Sequence, residues 1–246
     1  MPEGDTTQTP ARSRTAPLQR VGHKGADHIV AGNTRASFDA ALRAGVDMIE
    51  FDILPARRGE DELVLAHDET GIAGAETLDQ GLEHLASPAF AGIAFDVDLK
   101  LPGYEREVLA ALREYGLAER ALISSMYPAS LVRLRGLDAS LTLGWSVPRV
   151  RRDYTEARWS APIALAVIML ARRRLPERAA RALRSGRVDA IMAQWRLVTP
   201  ALVDTVLGAG GDLYVWTVDD GRQIAELEAL GVTGVITNDP RLFFSS

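Results

Sequence analysis

From residue 19 onward, short apolar runs alternate with longer stretches in which apolar residues recur every three or four positions. The short runs are Gln19–His23, Met48–Ile53, Ile93–Leu99, Ala121–Ser124, Leu141–Ser146, Ala190–Ala193, Leu213–Val218 and Gly234–Thr237, and their length and β-branched content predict strands. Helical periodicity covers Thr34–Ala44, Thr77–Leu85, Glu105–Tyr115, Pro128–Leu137, Pro162–Arg184, Pro200–Leu207 and Asp220–Leu230. Gly45, Gly116, Gly186 and Gly231 follow four of these helices, where a left-handed residue closes the last turn. Thr199 and Asp220 stand where N-caps are needed. Strands separated by helices predict a parallel sheet, and eight is the number that closes one on itself. The expected fold is therefore α/β, a TIM (β/α)8 barrel. An open doubly wound sheet is the rival, but no glycine-rich phosphate loop of the required form follows the first strand. Two insertions interrupt the rhythm: residues 54–76, with a hairpin at Glu62–Ala66, after the second strand, and a helical insertion at 147–188 after the fifth.

Composition narrows the function classes. The chain has 246 residues, 47% of them apolar, which suits one barrel-sized core. Residues 1–17 are polar and proline-bearing, so we expect a disordered arm there and one catalytic barrel domain over 18–246. A net charge of −5 gives no reason to expect a nucleic-acid partner. Having no cysteine, the chain has no disulfide, thiolate metal site or cysteine nucleophile. The longest apolar run, Ala161–Ala171, is well short of the roughly 20 residues that span a bilayer. With no signal-peptide core near the start, the expected location is cytoplasmic. Of 28 basic residues only Lys24 and Lys100 are lysines, which draws attention to both positions.

Those lysines lie among the polar residues at the strand ends. His23 and Lys24 close the first strand, Glu50 and Asp52 lie within MIEFDI, and Asp96, Asp98 and Lys100 lie along FDVDLK. Side chains two apart in a strand share a face, so Glu50 and Asp52 point one way while Ile49 and Phe51 point toward the helices. Asp96, Asp98 and Lys100 share a face by the same parity. Carboxylates converging in one barrel mouth repel unless a cation joins them, and a hard divalent ion, Mg²⁺ or Ca²⁺, suits oxygen ligands. An internal ion-pair network built on the lysines and arginines is the plainer alternative. His23 and His67, the latter following the apolar run LVLA, favour the metal reading, because two histidines beside a metal-bound phosphate suit acid–base work.

The segment from His23 to Asp68, HKGADHIVAGNTRASFDAALRAGVDMIEFDILPARRGEDELVLAHD, resembles the signature region of glycerophosphodiester phosphodiesterases: His-Arg-Gly, Glu-Asn-Thr, an amphipathic helix, Glu-x-Asp, then a strand ending in His-Asp. VDLK resembles the family's Ile-Glu-Ile-Lys, and Val215–Pro240 resembles its closing βαβ unit. The resemblance implies metal-dependent hydrolysis of glycerophosphodiesters to an alcohol and glycerol 3-phosphate, with the substrate's own hydroxyl as first nucleophile. It implies that Glu50, Asp52 and Asp98 are metal ligands and His23 and His67 the acid–base pair. Lys100 becomes a phosphate-side cation and Trp216 a pocket wall; Lys24, in place of the motif's arginine, keeps its positive charge at the phosphate. The resemblance leaves open which histidine is acid and which is base.

Three departures accompany it. Asp98 stands where the pattern has glutamate, although the related sphingomyelinase D enzymes use aspartate there. Lys24 replaces an arginine, losing the bidentate fork. Gly32 replaces the glutamate before Asn33-Thr34. Asp27 or His28 could supply that carboxylate's role, but both read more simply as solvent-exposed loop residues. Met126, Tyr127, Trp145, Trp195 and Trp216 lie at or beyond strand ends, where they either line a head-group pocket or pack ordinarily. Residues 161–187 read as a buried helix followed by a solvated basic one; a weak membrane-interface contact is the second reading. The alternative activities are a lysophospholipase D-like lyase that stops at a cyclic phosphate and a catalytically silent phosphodiester-binding barrel. A small-molecule or lysolipid phosphodiester is the expected partner.

Overall fold

Every predicted strand forms, within one or two residues of its expected bounds, in the computed structural model, which describes residues 16–57, 62–148 and 161–244. The elements run β1 (Gln19–Gly22), α1 (Arg35–Arg43), β2 (Met48–Pro55), β3 (Leu63–Leu65), α2 (Leu78–Leu85), β4 (Ala94–Leu99), α3 (Glu105–Glu114) and β5 (Ala121–Ser125). They continue with α4 (Pro128–Leu137), β6 (Thr142–Val147), α5 (Ala161–Arg184), β7 (Ala190–Gln194), α6 (Pro200–Gly208), β8 (Asp212–Trp216), α7 (Gly221–Leu230) and β9 (Gly234–Thr237). The sheet order is β1-β9-β8-β7-β6-β5-β4-β2, and β1 also pairs with β2, so the parallel strands close into a barrel. The remaining strand, β3, is antiparallel to the end of β2 and forms the expected hairpin. The rival open sheet is thereby excluded. Residues 1–15 of the expected arm and 149–160 of the insertion lie outside the described residues.

Local chemistry sets these boundaries. Thr34 caps α1 by accepting from Ser37 N–H, Thr77 and Gln80 form a reciprocal capping box on α2, and Thr199 and Asp220 cap α6 and α7 as expected. Gly231 closes α7 at φ 83°, a left-handed conformation that is cheap only for glycine.

Strand alternation then sorts the side chains into two cores. Outward residues such as Ile49, Phe51, Phe95, Ile123, Leu143 and Leu213 pack beneath the helices. There Phe51 meets Phe38 at 5.6 Å and Phe95 at 6.5 Å between ring centroids. Each such ring, fully buried, is worth about 2–3 kcal/mol of transfer free energy. Inward residues Val21, Met48, Leu122, Met192, Tyr214 and Ile236 form a smaller apolar plug inside the barrel. The register between β2 and β4 places Met48 beside Ala94, Glu50 beside Asp96 and Asp52 beside Asp98. One inward row thus changes from apolar to acidic as it rises toward the C-terminal mouth, where barrel active sites are built.

Candidate active site

A tight loop after β1 delivers the first residues of the site. Lys24 (φ 50°) and Asn33 (φ 56°) both adopt left-handed backbone that costs a side-chain-bearing residue about 1 kcal/mol or more, and Gly25 lies between them at φ 87°. Hydrogen bonds hold the loop over the end of β2. Lys24 N–H donates to Glu50 Oε2 at 2.8 Å, Gly25 N–H to the Glu50 carbonyl at 3.1 Å, and Asn33 N–H to the Lys24 carbonyl at 3.0 Å. A Cβ on Gly25 would sit 2.6 Å from Ser37 Oγ and 2.8 Å from the Ser37 carbonyl oxygen, so only glycine lets the loop lie this close to α1.

Glu50, Asp52 and Asp98 are all buried, and each offers an oxygen within 4.8 Å of the others. Lys100 reaches between two of them, its Nζ 2.6 Å from Asp52 Oδ1 and 2.6 Å from Asp98 Oδ2. Burial opposes ionisation of Asp52, but the Lys100 charge and the His67 hydrogen bond overcome it and hold its pKa well below the usual carboxylate range. Burial works against Lys100 as well, yet Asp52 and Asp98 keep it firmly protonated. Glu50 goes the other way: burial, then the neighbouring Asp52 charge, push its pKa well above normal. Asp96, deeper in the same row, is raised to about 8 by burial and by Asp98. One lysine thus satisfies two of four crowded carboxyls and leaves Glu50 and Asp96 unfavourably placed as anions. A divalent cation suits that donor set, being hard, oxygen-seeking and doubly charged. The plainer alternative, a complete ion-pair network, is therefore only half realised.

Both histidines flank this cluster. His23 Nε2 lies 3.8 Å from Glu50 Oε2, and His67 Nδ1 lies 3.1 Å from Asp52 Oδ2. Burial lowers the His23 pKa, against the pull of the Asp52 charge, so the neutral ring is favoured. Its tautomer follows from a chain of partners. Asn238 Nδ2 donates to Asp219 Oδ2 at 2.7 Å, which turns Asn238 Oδ1 toward His23 Nδ1, 2.5 Å away. His23 Nδ1 therefore carries the proton, and Nε2 is the free lone pair facing the carboxylates. Asp219 is itself held by Asn238 N–H and Thr237 Oγ1, at 2.8 and 3.0 Å. On the other flank Asn33 Nδ2 donates to Asp52 Oδ2 at 2.9 Å, while Asp52 N–H donates back to Asn33 Oδ1 at 3.0 Å.

Of the residues singled out in the sequence, Glu50, Asp52, Asp98, Lys100, His23 and His67 converge. Lys24 joins through its backbone N–H, its ammonium being 3.5 Å from Asp27. Trp216 lies half-buried on the inward side of β8, its indole N–H donating to the Met192 carbonyl at 2.9 Å. For Trp145 and Trp195 the ordinary-packing alternative holds, and they do not line the mouth. They pack on the outer core, with Arg178 stacked 5.1 Å from Trp145 and Arg196 stacked 4.1 Å from Trp195. Inward positions on β6 belong to Gly144 and Ser146; a Cβ on Gly144 would sit 2.9 Å from Leu122 and 3.0 Å from Met192, in the inner plug. One expectation needs correcting: Asp27 is not a free loop residue, since its Oδ1 accepts Gly32 N–H at 2.8 Å while its Oδ2 faces Lys24. A Cβ at Gly32 would come within 2.7 Å of Asp27 Oδ1 and 2.6 Å of Lys24 Cβ, so the Asp27 carboxylate fills the space a side chain at 32 would need. His28 is exposed, as expected. Asn33, Asp219 and Asn238 were not assigned roles from the sequence, although all three follow the C-terminal ends of strands.

The chain is similar in sequence and fold to known proteins. The sequence model of the glycerophosphoryl diester phosphodiesterase family matches residues 92–242, more than half of the chain. That match begins at β4, so the departures at Lys24 and Gly32 fall outside it. A glycerophosphodiester phosphodiesterase of Caldanaerobacter subterraneus subsp. tengcongensis is 25% identical over 256 residues, spanning 89% of this chain and 93% of that one. Among solved structures, a glycerophosphodiester phosphodiesterase from Agrobacterium tumefaciens superposes with a TM-score of 0.69 at 18% identity, covering 94% of this chain and 100% of that one. An Oleispira antarctica phosphodiesterase, solved in complex with the product sn-glycerol-3-phosphate, superposes with a TM-score of 0.66 at 19% identity, covering 93% and 96%.

Proposed function

This chain belongs to the glycerophosphoryl diester phosphodiesterase family, and we propose that it hydrolyses glycerophosphodiesters to an alcohol and glycerol 3-phosphate, with Glu50, Asp52 and Asp98 holding Mg²⁺ or Ca²⁺ and with His23 and His67 moving the protons. The observation that carries this reading is the meeting of three buried carboxylates within 4.8 Å, with one imidazole against Glu50 and another against Asp52.

A divalent cation bound there would supply charge that draws electron density from a phosphate oxygen. The protein's own groups do the rest. His23, neutral and with Nε2 free, accepts the proton of the attacking hydroxyl, while Asn238 and Asp219 hold the ring in that tautomer. His67, pinned through Nδ1 to Asp52 and half open to solvent, gives its proton to the leaving alkoxide, and water then opens the resulting cyclic phosphate to glycerol 3-phosphate with the two proton transfers reversed. Lys100 keeps Asp52 ionised in a site where burial opposes its charge, and it also pairs with Asp98. Lys24 is the second cation available to the growing phosphate charge, and the face of Trp216 forms a wall on the side of the mouth opposite β4.

Two measurements test this reading. Purified protein is assayed on glycerophosphocholine and glycerophosphoethanolamine with EDTA, Mg²⁺ or Ca²⁺, following glycerol 3-phosphate. Release only with metal is expected, and undiminished turnover in EDTA, or none with either ion, rejects it. The division of labour is tested with a nitrophenyl phosphodiester, whose good leaving group needs no acid. His67→Ala should recover most of its lost rate on that substrate and His23→Ala should not; the reverse pattern exchanges the roles.

A further inference from the structure

The basic charge of this chain is concentrated in one place. Residues 149–187 hold eleven arginines against three acidic residues, while the rest of the chain holds seventeen basic residues against thirty acidic ones. Random scatter would leave each part near the mean, so an acidic protein carries one strongly cationic segment.

Its described portion is the later part of α5, which returns from the mouth side of β6 along the outside of the barrel. Two contacts place its earlier turns toward the active-site mouth: Arg172 Nε donates to the Arg196 carbonyl at 2.6 Å, just beyond β7, and Arg178 stacks on Trp145 near the top of β6. Leu175, Ala179 and Leu183 turn inward and are buried. At 100° per residue, Leu170, Arg173, Arg174, Arg181 and Arg184 fall on the opposite side, with Met169 at its edge. The only acidic residue on that face, Glu177, is paired with Arg181 at 2.7 Å, leaving Arg173, Arg174 and Arg184 to give it a net positive charge. Met169 and Leu170 each keep 48% of their surface exposed at the end of the face nearer the mouth. These two half-exposed apolar side chains lie next to the arginines in the chain, so the face pairs a cationic stretch with an apolar end. A nucleic acid would use the arginines and leave Met169 and Leu170 without a role. An anionic membrane uses both, the arginines at the headgroups and the apolar pair at the acyl boundary.

We infer that this face of α5 docks the enzyme on anionic lipid surfaces, with Met169 and Leu170 entering the interface and Arg173 and Arg174 meeting the headgroups. Docking of this kind would bring the catalytic mouth to where phosphodiesters derived from lipids are released. It does not rest on the catalytic assignments above, since none of these residues belongs to the site.

The test is co-sedimentation of the full chain with phosphatidylcholine vesicles and with vesicles that also contain phosphatidylglycerol, at low and high salt. Binding is expected only to the anionic vesicles and should weaken with salt. Arg173→Gln/Arg174→Gln should lower the partition coefficient at least about tenfold. Met169→Ser/Leu170→Ser should lower it about fivefold or more. Both variants should keep the parental circular-dichroism spectrum and melting temperature, which shows that they fold. Absence of binding to anionic vesicles overturns the inference, as does equal binding to both vesicle types. Equal capture by duplex DNA with no effect of Met169→Ser/Leu170→Ser assigns the face to polyanions in general and overturns it too.

Discussion

The inward row of β2 and β4 passes through two environments within a few residues. At the floor, Met48 beside Ala94 joins Val21, Leu122, Met192, Tyr214 and Ile236 in a dry plug. Two residues higher, Glu50 faces Asp96, and above them Asp52 faces Asp98. Strand and parity are the same, yet the floor lowers the free energy of the fold and the mouth raises it. Met192 at the floor is 1% exposed and fully matched to apolar neighbours, whereas Asp96, 2% exposed, is pushed to a pKa of about 8. The barrel is thus stabilised below so that it can hold at its mouth charges that an unliganded protein would shed.

Mutations at the two levels should therefore fail differently. The largest expected effect is at the mouth: His23→Ala or His67→Ala should lower kcat toward glycerophosphocholine by about 10²–10⁴-fold, with the melting temperature nearly unchanged. At the floor the pattern inverts. Met192→Ala should cost about 2–5 kcal/mol in urea unfolding while the folded fraction keeps near-parental kcat. If Met192→Ala abolished turnover in protein that remained folded, floor and mouth would not be separable.

A smaller effect is expected one step from the chemistry. Asn238→Ala should lower kcat about tenfold, more than it raises KM, because the His23 ring loses the partner that fixes its tautomer. Its ¹⁵N spectrum should move from the Nδ1–H pattern toward a mixture, a change that general loosening of the loop would not produce.

The subtlest difference is in pH dependence without metal. Asp96 has a folded pKa of about 8 against an ordinary 3.8, so the unfolded chain releases its proton first as pH rises. Its contribution to stability is complete below the ordinary value and is lost as pH climbs toward 8, with a slope of at most about 1.4 kcal/mol per unit. In EDTA, Asp96→Asn should flatten the decline between those limits; an unchanged pH profile would mean that Asp96 ionises normally.

Much of this was legible in the sequence because it follows local rules. The parity that puts Glu50 and Asp52 on one face of β2 is a property of any strand, and the β2–β4 register confirms it. The same parity, carried through β6, would have turned Trp145 outward from the site. Proximity to a strand end left both readings open there, because direction alternates at every residue. Asn238 lies 215 residues from the His23 it orients, and the spacing of residues does not encode such a meeting until the barrel closes. Asp27 was misjudged for a related reason: only the fold of the left-handed loop carries Gly32 N–H and Lys24 to its two oxygens.

The central claim is that Glu50, Asp52 and Asp98 act as a cation site on which turnover depends. Calorimetric titration of Mg²⁺ and Ca²⁺ into metal-stripped protein, alongside Asp98→Asn and with glycerophosphocholine hydrolysis followed at each step, tests it most directly. One site per chain is expected, with activity rising in proportion to its filling and with both lost in Asp98→Asn. Full hydrolysis by the stripped protein, or binding and activity unchanged in Asp98→Asn, would contradict the account.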